Sequence, residues 1–522
     1  MREAEPTGHC RAALVTTADR LPGQAAALLT NGFRLALVSG HDDHDALRVV
    51  YLFTASGPDR RLELHLRLDR DKPTVPTLAA LSFPAGRFER ELHDLYGIVP
   101  ADHPLPRRLV RHPHWPAGWY PMRADAGPPP AFGQRVEPFP FLTVEGPGVY
   151  EIPVGPVHAG LIEPGHFRFS VVGETILKMK ARLWYVHKGI EKLFEGREPA
   201  GGLPLAERIS GDTAVGHTMA YCQAVEDALD LQVPAEAHRM RAILLELERI
   251  YNHIGDLGAL CNDVGHGVLM AHAMRIKESL LRLNEQTTGH RLLRGGIHLG
   301  GAALRTVPDP DRLAEFAADI RAVADLALDN SLVAERFTGT AVLSAEAAQD
   351  LGTLGYVARA SGVDLDARRD HPAPAPADLA QLGLVVPVHD SGDVLARFQQ
   401  RVAEIAASVA LLDQLVRSVS ADRTDGAGRT KGIGRADGSD PADRPDAAGA
   451  SRARSGVGIV EGWRGTIVHR VEIATGRLRR VKVVDPSFFN WPALPLALAD
   501  TIVPDFPLAN KSFNLSYAGN DL

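Results

Sequence analysis

The chain has 522 residues, 45% apolar and 23% charged, a composition ordinary for a globular protein and a length that calls for at least two domains. Its 64 acidic and 57 basic residues give a formal charge of −7 without a long basic block of the kind that tracks a phosphate backbone, so nucleic acid is not an expected partner. Three cysteines, Cys10, Cys222 and Cys261, form no CxxC pair, which excludes a disulfide framework and a zinc ribbon and fits a reducing, cytoplasmic compartment.

The N-terminus, MREAEPTGHC, lacks the apolar core of a signal peptide, and no run of ~18 apolar residues occurs, so no membrane-spanning segment is expected. Phe33 to Val38, Arg48 to Phe53 and Leu62 to Leu68 read as strands, and Thr77 to Leu95 as helical on either side of a break at Pro84 to Gly86. Residues 1–123 therefore form a small α/β unit, closed by a Pro- and Gly-rich linker at 124–140. Val144 to Glu174 reads as strands and turns. Helices follow. In Pro234 to Cys261, Met240, Ile243, Leu244, Leu247, Ile250, Ile254 and Leu257 recur at helical spacing, with Pro234 placed in the first turn. Leu269 to Asn284, Asp311 to Leu328 and Ala396 to Val419 are comparable, so residues 141–522 should be built on a helical bundle. Residues 420–455 are nearly devoid of large apolar side chains and read as a disordered insertion. Gly465 to Val484 suggests a hairpin about Ala474-Thr475-Gly476, followed by an irregular tail. The fold class is thus α+β: a small α/β unit, then a mostly helical domain with short β elements at its ends.

Four motifs carry a family resemblance. Phe88 to Trp115 (FERELHDLYGIVPADHPLPRRLVRHPHW) resembles the small quinone-end subunit of respiratory complex I. Gly155 to Phe169 (GPVHAGLIEPGHFRF), with Tyr185 to Leu193, resembles the large subunit of formate hydrogenlyase and hydrogenase-4, itself similar to the large quinone-site subunit of complex I. Glu207 to Glu226, and Val460 to Gly465 (VEGWRG) with Asp485 to Trp491 (DPSFFNW), complete the set; the first and last of these sit where a [NiFe] hydrogenase large subunit has a cysteine pair. Fusion of the small and large types in one polypeptide, the C/D fusion of NADH-quinone oxidoreductase, is itself a property of this group.

The chain departs from the hydrogenases where the metal would sit. Ser210 and Thr213 stand at the first cysteine pair, Ser487 and Asn490 at the second. Soft thiolates hold such a centre, whereas alcohol and amide oxygens are hard, weak ligands. The resemblance therefore implies no [NiFe] centre. DPSFFNW instead resembles complex I, and implies a cavity without metal that takes a quinone or another small acceptor. The tyrosine associated there with the quinone headgroup is replaced by Gly211, while His158 or His166 could supply the histidine.

The expected function is a peripheral subunit of a membrane-bound complex-I-like or hydrogenase-4-like oxidoreductase, on the cytoplasmic side of the membrane and in indirect contact with it. The implied partners are an iron–sulfur subunit with a [4Fe-4S] cluster and antiporter-like membrane subunits, with NAD reached only through a partner. Candidate catalytic residues are His158, His166, Asp212 and His217; Asp212 and His217, five apart, are a carboxylate and an imidazole able to relay protons. Cavity candidates are Ser210, Thr213, Glu461, Arg464, Ser487 and Asn490. Two rival readings remain open: a scaffold descended from a hydrogenase, and a hydrolase holding a metal on His158, Glu163, His166 and His187.

Overall fold

The computed structural model describes residues 5–8, 10–133, 139–158, 162–372, 379–425 and 453–522. Near the N-terminus, five strands form one sheet in the order Glu5–Gly8, Arg11–Thr16, Arg60–Leu68, Leu47–Ala55, Arg34–Asp42, antiparallel except between Arg11–Thr16 and Arg60–Leu68. The helix Phe83–Tyr96 packs beside it. The expected break at Pro84 to Gly86 is instead the start of this helix: Pro84 occupies the first turn, where its missing N–H leaves no bond unmade, and Gly97 closes the helix at φ +73°.

The FERELHD motif works as a clamp. Asp94 accepts from the backbone amides of Leu109, Val110 and Arg111 at 2.8, 2.8 and 3.1 Å, while Arg90 donates to the carbonyls of Arg107 and Arg108. Together they fix the arm that leads to Trp115. His112 on this arm donates to the Trp184 carbonyl at 3.0 Å.

The second half is built on long helices: Ala235–Asp263, Gly267–Thr288, Pro310–Leu328 and Val394–Asp425. All seven apolar positions expected to line Ala235–Asp263 are buried. Pro234 lies one residue before the first turn, as its N-cap. This helix also buries charge, each group with a partner: Arg241 holds Glu226, Glu246 holds Arg368, and His253 meets Glu404 at 3.0 Å. The helix Val394–Asp425 and the strand from Arg454 enter the span expected to be disordered from both sides, and residues 426–452 lie outside the described residues. The expected irregular tail is helical, with short helices at Pro486–Asn490, Ala493–Ala497, Phe506–Phe513 and Tyr517–Asp521.

The expected hairpin at Gly465 to Val484 is part of a three-stranded antiparallel sheet, Arg454–Gly462, Gly465–Ala474 and Arg477–Val484. Both its faces are covered. Val471, Ile473, Val481 and Val483 join a buried cluster with Tyr221 and Ala224 of the helix Ala214–Leu229. The alternating side chains Arg470, Glu472, Arg480 and Lys482 lie toward the N-terminal unit: Arg470 pairs with Glu63, Glu472 with Arg48 and Lys482 with Glu91, while Arg480 donates to the Gly40 carbonyl and pairs with Glu191 of the second half. A period of two that would normally mark a water-facing strand here marks a seam between units.

The strand Arg454–Gly462 lies so close to the helix that a Cβ on Gly458 would stand 2.0 Å from the carbonyl oxygen of Ala220. Gly458→Ala should lower unfolding stability by at least ~1–3 kcal/mol, read from urea melts; an unchanged midpoint would contradict the close approach. Burial and the neighbouring Arg182 charge push the His112 imidazole down to about 4. Its unfolded counterpart titrates near ~6.5, so the folded chain binds fewer protons in between, and stability should fall as pH drops from about 6.5 to 4. His112→Gln should flatten that slope in pH-dependent melts.

Candidate functional site

Two tight backbone features converge on the site. The first is the turn Ser210 to Thr213, closed by the Thr213 amide donating to the Ser210 carbonyl at 3.1 Å and followed directly by the helix Ala214–Leu229. Glu248, from the long helix Ala235–Asp263, accepts from the amides of Val215 and Gly216 at 2.7 and 3.0 Å and so caps the start of that helix. Asn252 and Trp463 both donate to the Asp212 carbonyl, at 2.9 and 3.0 Å. The second feature is VEGWRG, the tight connection of the three-stranded sheet: Gly462 pairs with Gly465, and Trp463 and Arg464 form the two-residue loop. Gly355 at φ +67° lies against it, where a Cβ would meet the Arg464 carbonyl oxygen at 2.0 Å.

Arg464 grips Asp212 with two parallel bonds of 2.7 Å each and donates to the Asn514 carbonyl at 2.6 Å. This guanidinium, together with bonds from Ser210 and Thr213 at 2.9 and 3.0 Å, holds the Asp212 carboxyl well below the usual carboxylate range. Asp212 is therefore a fixed anion at neutral pH and a poor proton donor. It does not touch His217. His217 instead donates from Nε2 to Asp485 at 3.0 Å and meets His469 through Nδ1 at 3.1 Å. Burial drives the His469 imidazole well below its ordinary value, so His469 is neutral. Glu461 and Arg464 do not pair with each other: Glu461 turns into the bundle and binds Arg359 at 2.8 Å.

The four positions expected to stand in place of cysteines, Ser210, Thr213, Ser487 and Asn490, are each buried and hydrogen-bonded. Ser210 Oγ lies 2.8 Å from Ser516 Oγ, and the Ser516 amide donates to Ser487 Oγ at 3.0 Å. Thr213 Oγ1 accepts from Trp463 Nε1 at 3.1 Å. Asn490 reads the backbone of Leu354 at both its amide and its carbonyl, at 2.8 and 3.1 Å. These oxygens and nitrogens do not fit a nickel–iron centre: hydroxyls and a carboxamide already committed to protein partners offer no soft anionic ligand. Cys222 and Cys261 are buried and their thiols are pushed up by that burial, the latter to about 12; Cys10 is exposed. Among the described residues no group of three or more histidines, cysteines and carboxylates is arranged to hold a metal ion.

His158 and His166 brace their own loop. His158 Nε2 donates to the Gly165 carbonyl at 2.9 Å and His166 Nδ1 to the Gly155 carbonyl at 3.0 Å, leaving His166 Nε2 buried without a partner. Glu163 ties the loop to the site by accepting from the Ala518 amide at 3.1 Å, two residues beyond Ser516. His187 lies half-buried in the loop ahead of the helix Ile190–Phe194, where its Nδ1 donates to the Asp521 carbonyl at 2.7 Å. Sequence reasoning did not single out Asp485, His469, Ser516 or Trp463. Two of them sit inside quoted motifs, Asp485 opening DPSFFNW and Trp463 inside VEGWRG; nothing local marks the others.

Residues 14–130 match the family described as respiratory-chain NADH dehydrogenase, 30 Kd subunit, residues 263–435 match the 49 Kd subunit, and residues 188–260 match nickel-dependent hydrogenase. Formate hydrogenlyase subunit 5 of Escherichia coli (strain K12) is 29% identical, over 93% of this chain and 84% of its own length. Hydrogenase-4 component G of the same strain is 31% identical, over 87% and 77%. The C/D fusion of NADH-quinone oxidoreductase from Phocaeicola vulgatus is 30% identical, over 72% and 76%. A chain of the membrane-bound sulfane sulfur reductase, an archaeal respiratory membrane complex, shares the fold at a TM-score of 0.61 and 22% identity, covering 72% of this chain and 99% of that one.

The Asp212–Arg464 pair makes an asymmetric prediction. Asp212→Ala leaves a buried guanidinium without its carboxylate and should cost about 3 kcal/mol or more in urea unfolding. Arg464→Met should cost less, because the Asp212 side chain is 39% exposed and water can take over its solvation.

Proposed function

This chain belongs to the family that unites hydrogenase-4 component G and formate hydrogenlyase subunit 5 with the C/D fusion of NADH-quinone oxidoreductase, and on that premise we propose that it is the metal-free large subunit of a membrane-bound oxidoreductase complex. It acts as a peripheral subunit: no helix among the described residues is long and apolar enough to cross a membrane, and the relatives named above belong to such complexes. Its fused organisation follows the same relatives, with a 30 Kd-type region ahead of a 49 Kd-type region in one chain.

One observation carries the reading. Where hydrogenase relatives hold a metal through four cysteines, this chain has Ser210, Thr213, Ser487 and Asn490, all buried and bonded to protein partners beside the Asp212–Arg464 pair. A site of this kind binds and orients a small acceptor through fixed charge and hydrogen bonds, and leaves the electrons to an iron–sulfur partner. Asp212 supplies a permanent negative charge held by Arg464. The His217–Asp485 pair is the proton-handling element, because His217 bridges a carboxylate and a neutral imidazole. A quinone fits the role of acceptor by analogy with NADH-quinone oxidoreductase. The iron–sulfur subunit, the antiporter-like membrane subunits and the cytoplasmic face are assigned on the same resemblance.

The test uses the complex purified with this chain in place. Metal analysis should find no nickel in proportion to the chain, and the preparation should evolve no hydrogen. Asp212→Asn and His217→Gln should each lower acceptor reduction at least tenfold while the complex still assembles. Stoichiometric nickel would overturn the metal-free reading. Full turnover in both variants would make the chain a scaffold only.

A further inference from the structure

Where the N-terminal unit meets the second half, packing leaves a cavity of about 340 Å³. That is the size of small-molecule sites, and a seam between structural units is where such sites are often found. The site described above does not use it, although Asp485 borders both. Five aromatic rings stand in its walls: Trp115 and Trp119 on the arm, Phe88 on the helix Phe83–Tyr96, and Trp184 and Phe488 from the second half. On the arm side Trp115 lies 5.9 Å from Trp119 and 6.1 Å from His187, and on the other side Phe88 stacks on Phe488 at 4.6 Å.

The polar groups of the lining decide what such a cavity accepts. Lys482 is neutralised between Glu91 at 2.6 Å and Glu191 at 3.1 Å, and Arg480 adds a bond to Glu191 at 2.7 Å. Lys192 pairs with Glu195 at 2.6 Å. Asp485 is bonded to His217 and to the Ser487 amide. Asp521 accepts from the Val186 amide at 3.1 Å and from Asn520 at 2.8 Å. Lys188 is the exception. Its ammonium makes one hydrogen bond, to the Ile209 carbonyl at 3.0 Å, and forms no ion pair with a described carboxylate; Glu163, Asp521 and Asp485 act on it from further away. Two of its three N–H donors are therefore open to an occupant of the cavity, since the residue stands exposed at its edge.

We propose that this seam cavity binds a flat aromatic molecule bearing an oxygen acceptor, with its ring against Trp115 and Trp119 and its oxygen on the Lys188 ammonium. Ring faces and edges favour an aromatic occupant over an aliphatic one of equal size. The uncommitted ammonium selects a carboxylate or a carbonyl over a hydrocarbon or a cation.

Calorimetric titration of the full chain with 2-naphthoate and with 2-naphthamide tests this, the pair separating an anionic acceptor from a neutral one, with cyclohexanecarboxylate as the non-aromatic control. At least one naphthyl probe should bind, and the control at least tenfold more weakly. Lys188→Met should weaken the naphthyl probe tenfold or more. Leu193→Trp, at a lining position that is 45% exposed, should fill the cavity and abolish binding without touching the core, which keeps the test valid if the lysine variant folds poorly. Failure of both naphthyl probes to bind the parent chain at millimolar concentration overturns the proposal, as does binding that neither variant alters. The readout is binding alone, so its outcome is independent of electron transfer in the assembled complex.

Discussion

Glu63 is a buried carboxylate that accepts from Arg470 through both oxygens, from Arg11 at 3.2 Å and from His65 at 2.7 Å. Two guanidinium groups hold it ionised, far below the ordinary glutamate range, although burial alone would push the other way. Stripping water from such charges costs several kcal/mol per ion and is offset only when the bonding geometry is nearly complete. That geometry depends on the register of a single strand, Gly465–Ala474. A slip of one residue would turn Arg470 and Glu472 into the apolar cluster around Tyr221 and present Val471 to Glu63. The same strand begins at the Trp463-Arg464 loop, so the pairing that docks the N-terminal unit also sets where Arg464 meets Asp212, some six residues away along one rigid element.

The site inherits its precision from this arrangement. Ser210 to Thr213 are held by the capping Glu248, by Asn252 and by Trp463, and none of these partners belongs to the turn itself. The other half is anchored by Asp485, which caps the helix Pro486–Asn490 through the Ser487 amide while binding His217. Ser516 joins the two halves. The result is a polar cluster whose members are bonded mainly to each other, with Asp212 and Gly211 turned toward the outside.

Much of this was legible in the sequence. The strands of the N-terminal unit and the four long helices follow from periodicity, because apolar burial dominates them. The four positions expected in place of cysteines are visible as letters. What the letters do not carry is pairing over distance. Asp212 and His217 look like partners because they are five apart, yet Arg464 and Asp485 claim them from more than 250 residues away. Glu461 and Arg464 look like a pair and face opposite regions. The strand Arg454–Gly462 was hidden because its glycines, which let the helix Ala214–Leu229 approach, read as turn or disorder. The helical tail was hidden by its prolines, which start short helices as readily as they end long ones.

Asn490 shows how far this chain is committed to hydrogen bonds in place of thiols. Its carboxamide gives the loop at Leu354 both a donor and an acceptor, and the next residue, Gly355, is the one pressed against Arg464. A cysteine restored at Asn490 would silence both bonds and leave a buried amide and carbonyl unanswered; one restored at Ser487 would weaken the tie to Ser516. Each step back toward a metal ligand set is therefore opposed before any metal could repay it, and single substitutions meet only the cost. The hydrogen bonds at these positions therefore stand in the way of a metal ligand set one substitution at a time.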